Sequence, residues 1–111
     1  MTLLALGINH KTASVALREK LAFAPDAMAS AHQQALTIEP LHELVIVSTC
    51  NRTELYGNIE PDSEETLLDW LCQFHQIDKE ELRPYLYTYT QEQAIAHLIR
   101  VSSGLDSLVL G

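Results

Sequence analysis

Residues 44–59 read LVIVSTCNRTELYGNI: two apolar runs on either side of a polar hinge that holds Cys50 beside Asn51 and Arg52. The first run belongs to ELVIVS at 43–48. It is continuous in its hydrophobicity, the pattern of a central strand. The second, TELYGNI at 53–59, alternates and predicts a third strand of the chain, so the two flank the hinge as a hairpin.

Outward from the hairpin, LLALGIN at 3–9 reads as the first strand, followed by HKTAS, a turn rich in capping side chains. Helices are expected at 15–22 and at 26–37, the latter started by Pro25 and Asp26. Beyond the hairpin, Asp62 and Glu65 stand at capping-box spacing. In the helix that follows, Leu67, Leu71 and Phe74 recur at helical spacing with Leu68 and Cys72, which makes Cys72 a core residue. YLYTYT is a fourth strand by its aromatic and β-branched content, and QEQAIAHLIRVSS a helix. GLDSLVLG begins another element. The order β-α-α-β-β-α-β-α predicts an α+β fold close to the ferredoxin-like split βαββαβ arrangement. Its sheet would have four mainly antiparallel strands, with helices packed on one face.

A chain of 111 residues fits a single domain able to bury its own core. No apolar run is long enough to span a bilayer, and the N-terminus lacks the basic lead of a signal peptide, so the expected location is cytoplasmic. Seven basic against fifteen acidic residues give a formal charge of −8. That excludes a surface holding nucleic acid by bulk electrostatics, so any such contact must be local. Much of the acid lies between Glu60 and Glu81 and reads as a solvated helix face. Cys50 and Cys72 are expected to be thiols, because a sparse pair in a chain without a secretion signal stays reduced.

If the hinge were extended, Cys50 and Arg52 would share one side, with Thr49, Asn51 and Thr53 on the other. A cation beside a thiol stabilises the thiolate, the nucleophilic form. Arg52 could equally present a planar fork to a substrate carboxylate. On the pattern alone, Cys50 reads either as a buried structural cysteine or as a reactive one. His32, His42 and His75 sit among polar neighbours and read as bystanders. His10, just after the first strand, reads as a site residue or as part of a turn. His97, in the mostly apolar AIAHLIRV, reads as a satisfied core residue or a catalytic one. Ser107, in GLDS, could present a hydroxyl.

GINHKTA at 7–13, STCNRTELY at 48–56 and SGLDSLVLG at 103–111, in that order and spacing, resemble the N-terminal catalytic domain of glutamyl-tRNA reductases. The resemblance covers the whole chain. It implies reduction of the glutamyl group of Glu-tRNA to glutamate-1-semialdehyde with NADPH, the first step of five-carbon tetrapyrrole synthesis. It implies Cys50 as the nucleophile that forms a glutamyl thioester, His97 close to it, and Thr49, Asn51, Arg52 and Ser107 as substrate-holding residues. No metal is implied. Ser14 stands where the family usually has proline, a change expected to loosen a turn. The family continues into NADPH-binding and dimerisation domains, so residues 1–111 are expected to be one catalytic domain of a longer, homodimeric enzyme, with glutamate-1-semialdehyde aminomutase as a partner for product transfer. The rival reading from another class is a ferredoxin-like regulatory or RNA-interaction module without catalysis, with Tyr85, Tyr87 and Tyr89 as a stacking platform.

Overall fold

The computed structural model describes residues 1–110, with side chains through Gly104. Its elements are β1 (Thr2–Asn9), α1 (Val15–Leu21), a 3-10 turn (Pro25–Ala27), α2 (Met28–Ala35), β2 (Leu41–Ser48) and β3 (Arg52–Ile59). There follow α3 (Glu64–His75), α4 (Lys79–Leu82), a second 3-10 turn (Arg83–Tyr85), β4 (Tyr87–Thr90) and α5 (Glu92–Leu110). The sheet is antiparallel throughout, in the order β2-β3-β1-β4. This is the strand order of a split βαββαβ unit, in agreement with the expected class.

Alternation sorts β1 and β3 between two interiors. Leu4, Leu6 and Ile8 of β1, with Leu55 and Ile59 of β3, point to the face covered by Leu21, Ala31, Ala35, Leu67, Leu68 and Leu71 of α1 to α3. Cys72 is buried in that core, as its spacing predicts. Ala5 and Tyr56 point the other way, against Ala94 of α5.

Four expectations shift. β2 is an edge strand rather than a central one, and Val45 is exposed on it. Its apolar run comes from serving both faces, with Leu44 in one core and Val47 beside the other. The helices are not confined to one face, because α5 covers the second. Gly104 starts no new element: α5 runs through it, and a methyl group there would meet nothing within 4 Å among the described residues. A single glycine costs a helix only about 1 kcal/mol. Asp62 is not the cap of α3. It adopts a left-handed backbone, and Ser63 holds the cap position without a side-chain bond.

Ser14 caps α1. Its Oγ accepts from the Leu17 N–H at 3.2 Å, so the turn is fastened rather than loosened. Its φ of −67° would also suit proline, which would lack the capping hydroxyl.

Candidate active site: a buried carboxylate beneath a cationic cleft

The 44–59 hairpin turns through Cys50 and Asn51, neither of which takes a positive φ. The Thr49 side chain makes this possible. Its Oγ1 accepts from the N–H groups of Asn51 and Arg52, each at 3.2 Å, while the Thr49 N–H donates to the Arg52 carbonyl at 2.8 Å. On the opposite side of the cleft, the turn after β1 is fixed by Asn9, whose Oδ1 accepts from the N–H groups of Lys11 and Thr12.

Between these turns and α5 lie two adjoining hollows of about 210 and 220 Å³. Thr49, Asn51, Arg52, His10 and Arg100 line the first; Arg52, His10 and Arg100 recur in the second, with His97 and Lys11. Four of the residues expected to form the site, Thr49, Asn51, Arg52 and His97, are thus brought together. Ser107 lies outside the described side chains.

Cys50 is not on the same side as Arg52. The tight turn replaces the extended hinge on which that pairing depended. Cys50 is exposed and borders a separate hollow of about 140 Å³ with Val15, Arg18, Glu19 and Ala22. The cation facing the thiol's hollow is therefore Arg18 of α1. Thr49 lines both hollows and forms the ridge between them.

The residue that the sequence did not reveal is Glu54, fully buried. Gly7 of β1 pairs with Glu54 on one side and Tyr87 on the other; in the next row Ala5 stands between Tyr56 and Tyr89. Small residues on the central strand leave room for large ones on its neighbours. A Cβ at Gly7 would lie 2.5 Å from the Thr53 carbonyl oxygen and 2.9 Å from Cγ of Glu54. The Glu54 carboxylate accepts from the Tyr56 hydroxyl at 2.8 Å, the Tyr87 hydroxyl at 2.5 Å and Nε2 of His97, with Nη1 of Arg52 at 3.5 Å. Burial, and then the carboxylate, hold both phenols well above their ordinary pKa, so each stays a donor.

His97 is 7% exposed, with its ring 4.7 Å from that of Tyr89 and 5.2 Å from that of Tyr87. With Nε2 donating to Glu54, its tautomer is set and Nδ1 is the nitrogen left to other chemistry. A lone glutamate in an alternating strand reads as solvent-facing. Only the distant helix α5 makes that face an interior.

The family model for "Glutamyl-tRNAGlu reductase, N-terminal domain" matches residues 6–111. The chain belongs to that family. It is 59% identical over all 111 residues to a glutamyl-tRNA reductase of Psychromonas ingrahamii, spanning 26% of that protein. It also resembles the solved glutamyl-tRNA reductase from Methanopyrus kandleri, with a TM-score of 0.70 and 31% identity, over 94% of this chain and 23% of that one. The chain thus spans about a quarter of the length of these glutamyl-tRNA reductases. No described helix is long and apolar enough to cross a membrane.

Proposed function

We propose that the chain is the catalytic domain of an NADPH-dependent glutamyl-tRNA reductase, and that it carries the thioester-forming half of the reaction. Family membership supports this, and one structural observation supports it most: an exposed thiol and the Arg52 guanidinium share one hairpin tip, with Glu54 fixing the guanidinium from below. Arg52 reads the side-chain carboxylate of the glutamyl group. Thr49 and Asn51 flank it, and the aminoacyl ester crosses the Thr49 ridge to Cys50. The Cys50 thiol gives up its proton and its sulfur attacks the ester carbonyl, the bond from the carbonyl carbon to the ribose oxygen breaks, and that oxygen takes the proton so that the tRNA leaves with its terminal hydroxyl restored. His97, held by Glu54, orients or relays that proton through Nδ1.

The described residues offer no dinucleotide-binding turn of the glycine-rich kind. Their sheet is wholly antiparallel, and Gly7, Gly57 and Gly104 lie inside strands or a helix, so no glycine-rich strand-to-helix turn is available. Reduction is assigned to a dinucleotide-binding part of a longer polypeptide, as are dimerisation and product transfer to the aminomutase. An RNA-stacking module is not favoured. Tyr87 bonds Glu54 and Tyr89 packs on His97, so the expected platform is turned inward.

Given glutamyl-tRNA or an activated glutamate ester, the 111-residue chain should release glutamate slowly, form no semialdehyde and ignore NADPH. Cys50→Ser should abolish the release. Alkylation should reach Cys50 before Cys72, whose thiol is buried and pushed up in pKa by desolvation. Glutamate release that survives Cys50→Ser would remove the thiol from the chemistry.

A further inference from the structure

The cleft holds more positive charge than a glutamyl side chain requires. Lys11, Arg52 and Arg100, three of the chain's seven basic residues, line its two hollows with His10 and His97. No aspartate or glutamate is among the described residues lining either hollow, in a chain of net charge −8. Arg18 and Lys20, outside these two hollows, also have no ion pair among the described residues, so what sets the cleft apart is the gathering of cations without a lining acid; two cations elsewhere are neutralised. Lys79 bonds Glu65 at 2.6 Å and Asp69 at 2.7 Å, and Arg83 bonds Glu65 and Glu80. Arg52 faces Glu54. Lys11 and Arg100 are exposed and have no ion pair among the described residues. They come from opposite walls, the turn after β1 and helix α5, and converge on one opening.

We infer that Lys11 and Arg100 form an anion subsite for the 3′-terminal phosphodiester of the aminoacylated RNA, adjoining the pocket for its glutamyl group. The inference rests on the proposed function. In such a substrate the reacting carbonyl is attached to the same ribose that carries the last phosphodiester. With the side-chain carboxylate on Arg52 and the carbonyl over the Thr49 ridge, the ribose folds back past Arg52 to bring that phosphate to the Lys11–Arg100 pair. Two local cations also resolve how a strongly acidic domain meets a polyanion, with repulsion elsewhere keeping the RNA body off its surface.

The test compares two substrates on the full-length polypeptide: glutamyl-tRNA, and glutamate α-nitrophenyl ester, which has no phosphate. Arg100→Gln, and separately Lys11→Gln, should raise KM for glutamyl-tRNA by about tenfold more than for the ester. Each should lower the slope of log binding constant against log salt by about one. Arg100→Lys should recover most of the loss, since a phosphate accepts either cation. Equal losses on both substrates would place these residues in the glutamyl pocket and overturn the inference, as would an unchanged salt slope. A rise in KM for NADPH in place of glutamyl-tRNA would reassign the subsite to the dinucleotide. A wild-type protein that turns over neither substrate would instead sink the reductase reading itself.

Discussion

The two faces of the sheet are built from the same strands and behave as different materials. Toward α1 to α3, β1 and β3 present Leu4, Leu6, Ile8, Leu55 and Ile59, and the side chains they meet are almost all aliphatic or aromatic. Toward α5 they present Ala5, Gly7, Glu54 and Tyr56, with a carboxylate at the centre and donors around it. An apolar interior tolerates replacement by another apolar side chain of similar volume. A buried polar network does not, because each member left unpaired costs the desolvation of its group. The first face therefore sets stability, while the second sets where Arg52 and His97 point.

The largest expected effect tests that division. Glu54→Gln keeps shape but lets an amide N–H face Nε2 of His97, so thioester formation per folded molecule should fall by about 10³-fold. The pH profile of the remaining rate should also shift. A loss of rate that only follows a loss of folded protein would reduce Glu54 to a structural role. Next comes the apolar face: Leu55→Ala should cost about 3 kcal/mol in denaturant unfolding while leaving the rate per folded molecule intact.

The glycines sharpen the contrast. Gly7→Ala drives a methyl into the Thr53 carbonyl and Glu54, and should destabilise by about 1–3 kcal/mol while impairing thioester formation. Gly104→Ala meets none of the described residues within 4 Å, in a helix, and should stabilise by up to about 1 kcal/mol.

The smallest effects appear as opposite pH limbs. His75 packs against Phe23 and Phe74 on the apolar side, where burial lowers its pKa. The unfolded chain binds that proton more readily. This contribution is therefore complete above about pH 6.5 and is lost as pH falls below it. The phenols of Tyr56 and Tyr87 are raised, so their contribution is complete below about pH 10 and is lost as pH rises beyond it. Stability-pH curves of His75→Phe and Tyr87→Phe should flatten the acid and alkaline limbs respectively. A variant that flattened the wrong limb would break the assignment.

What could be read from the sequence was whatever depends on near neighbours. The hairpin around Cys50, the burial of Cys72 and the presence of four strands follow from alternation and helical spacing over a few residues. Thr49, Asn51 and Arg52 were grouped by a motif that matches a known family, and His97 only by the resemblance as a whole; that they line adjoining hollows came from the structure. Glu54 was not legible, since its burial is decided by His97, 43 residues away. The partner of Cys50 was misplaced for a more local reason: a threonine hydroxyl tightens the turn, and that reverses which side a hinge residue faces.

The position of β1 bears on how the chain is made. The earliest of the described strands to leave the ribosome is flanked on both sides by later ones, β3 at Arg52–Ile59 and β4 at Tyr87–Thr90. During synthesis Leu4, Leu6 and Ile8 have no sheet partner until more than fifty residues have emerged, and Glu54 gains its last donor only once His97 is out. Pairings so distant in sequence are slow to close. The order of translation thus completes the hydrophobic half of the molecule before the half that holds the Glu54–His97 network.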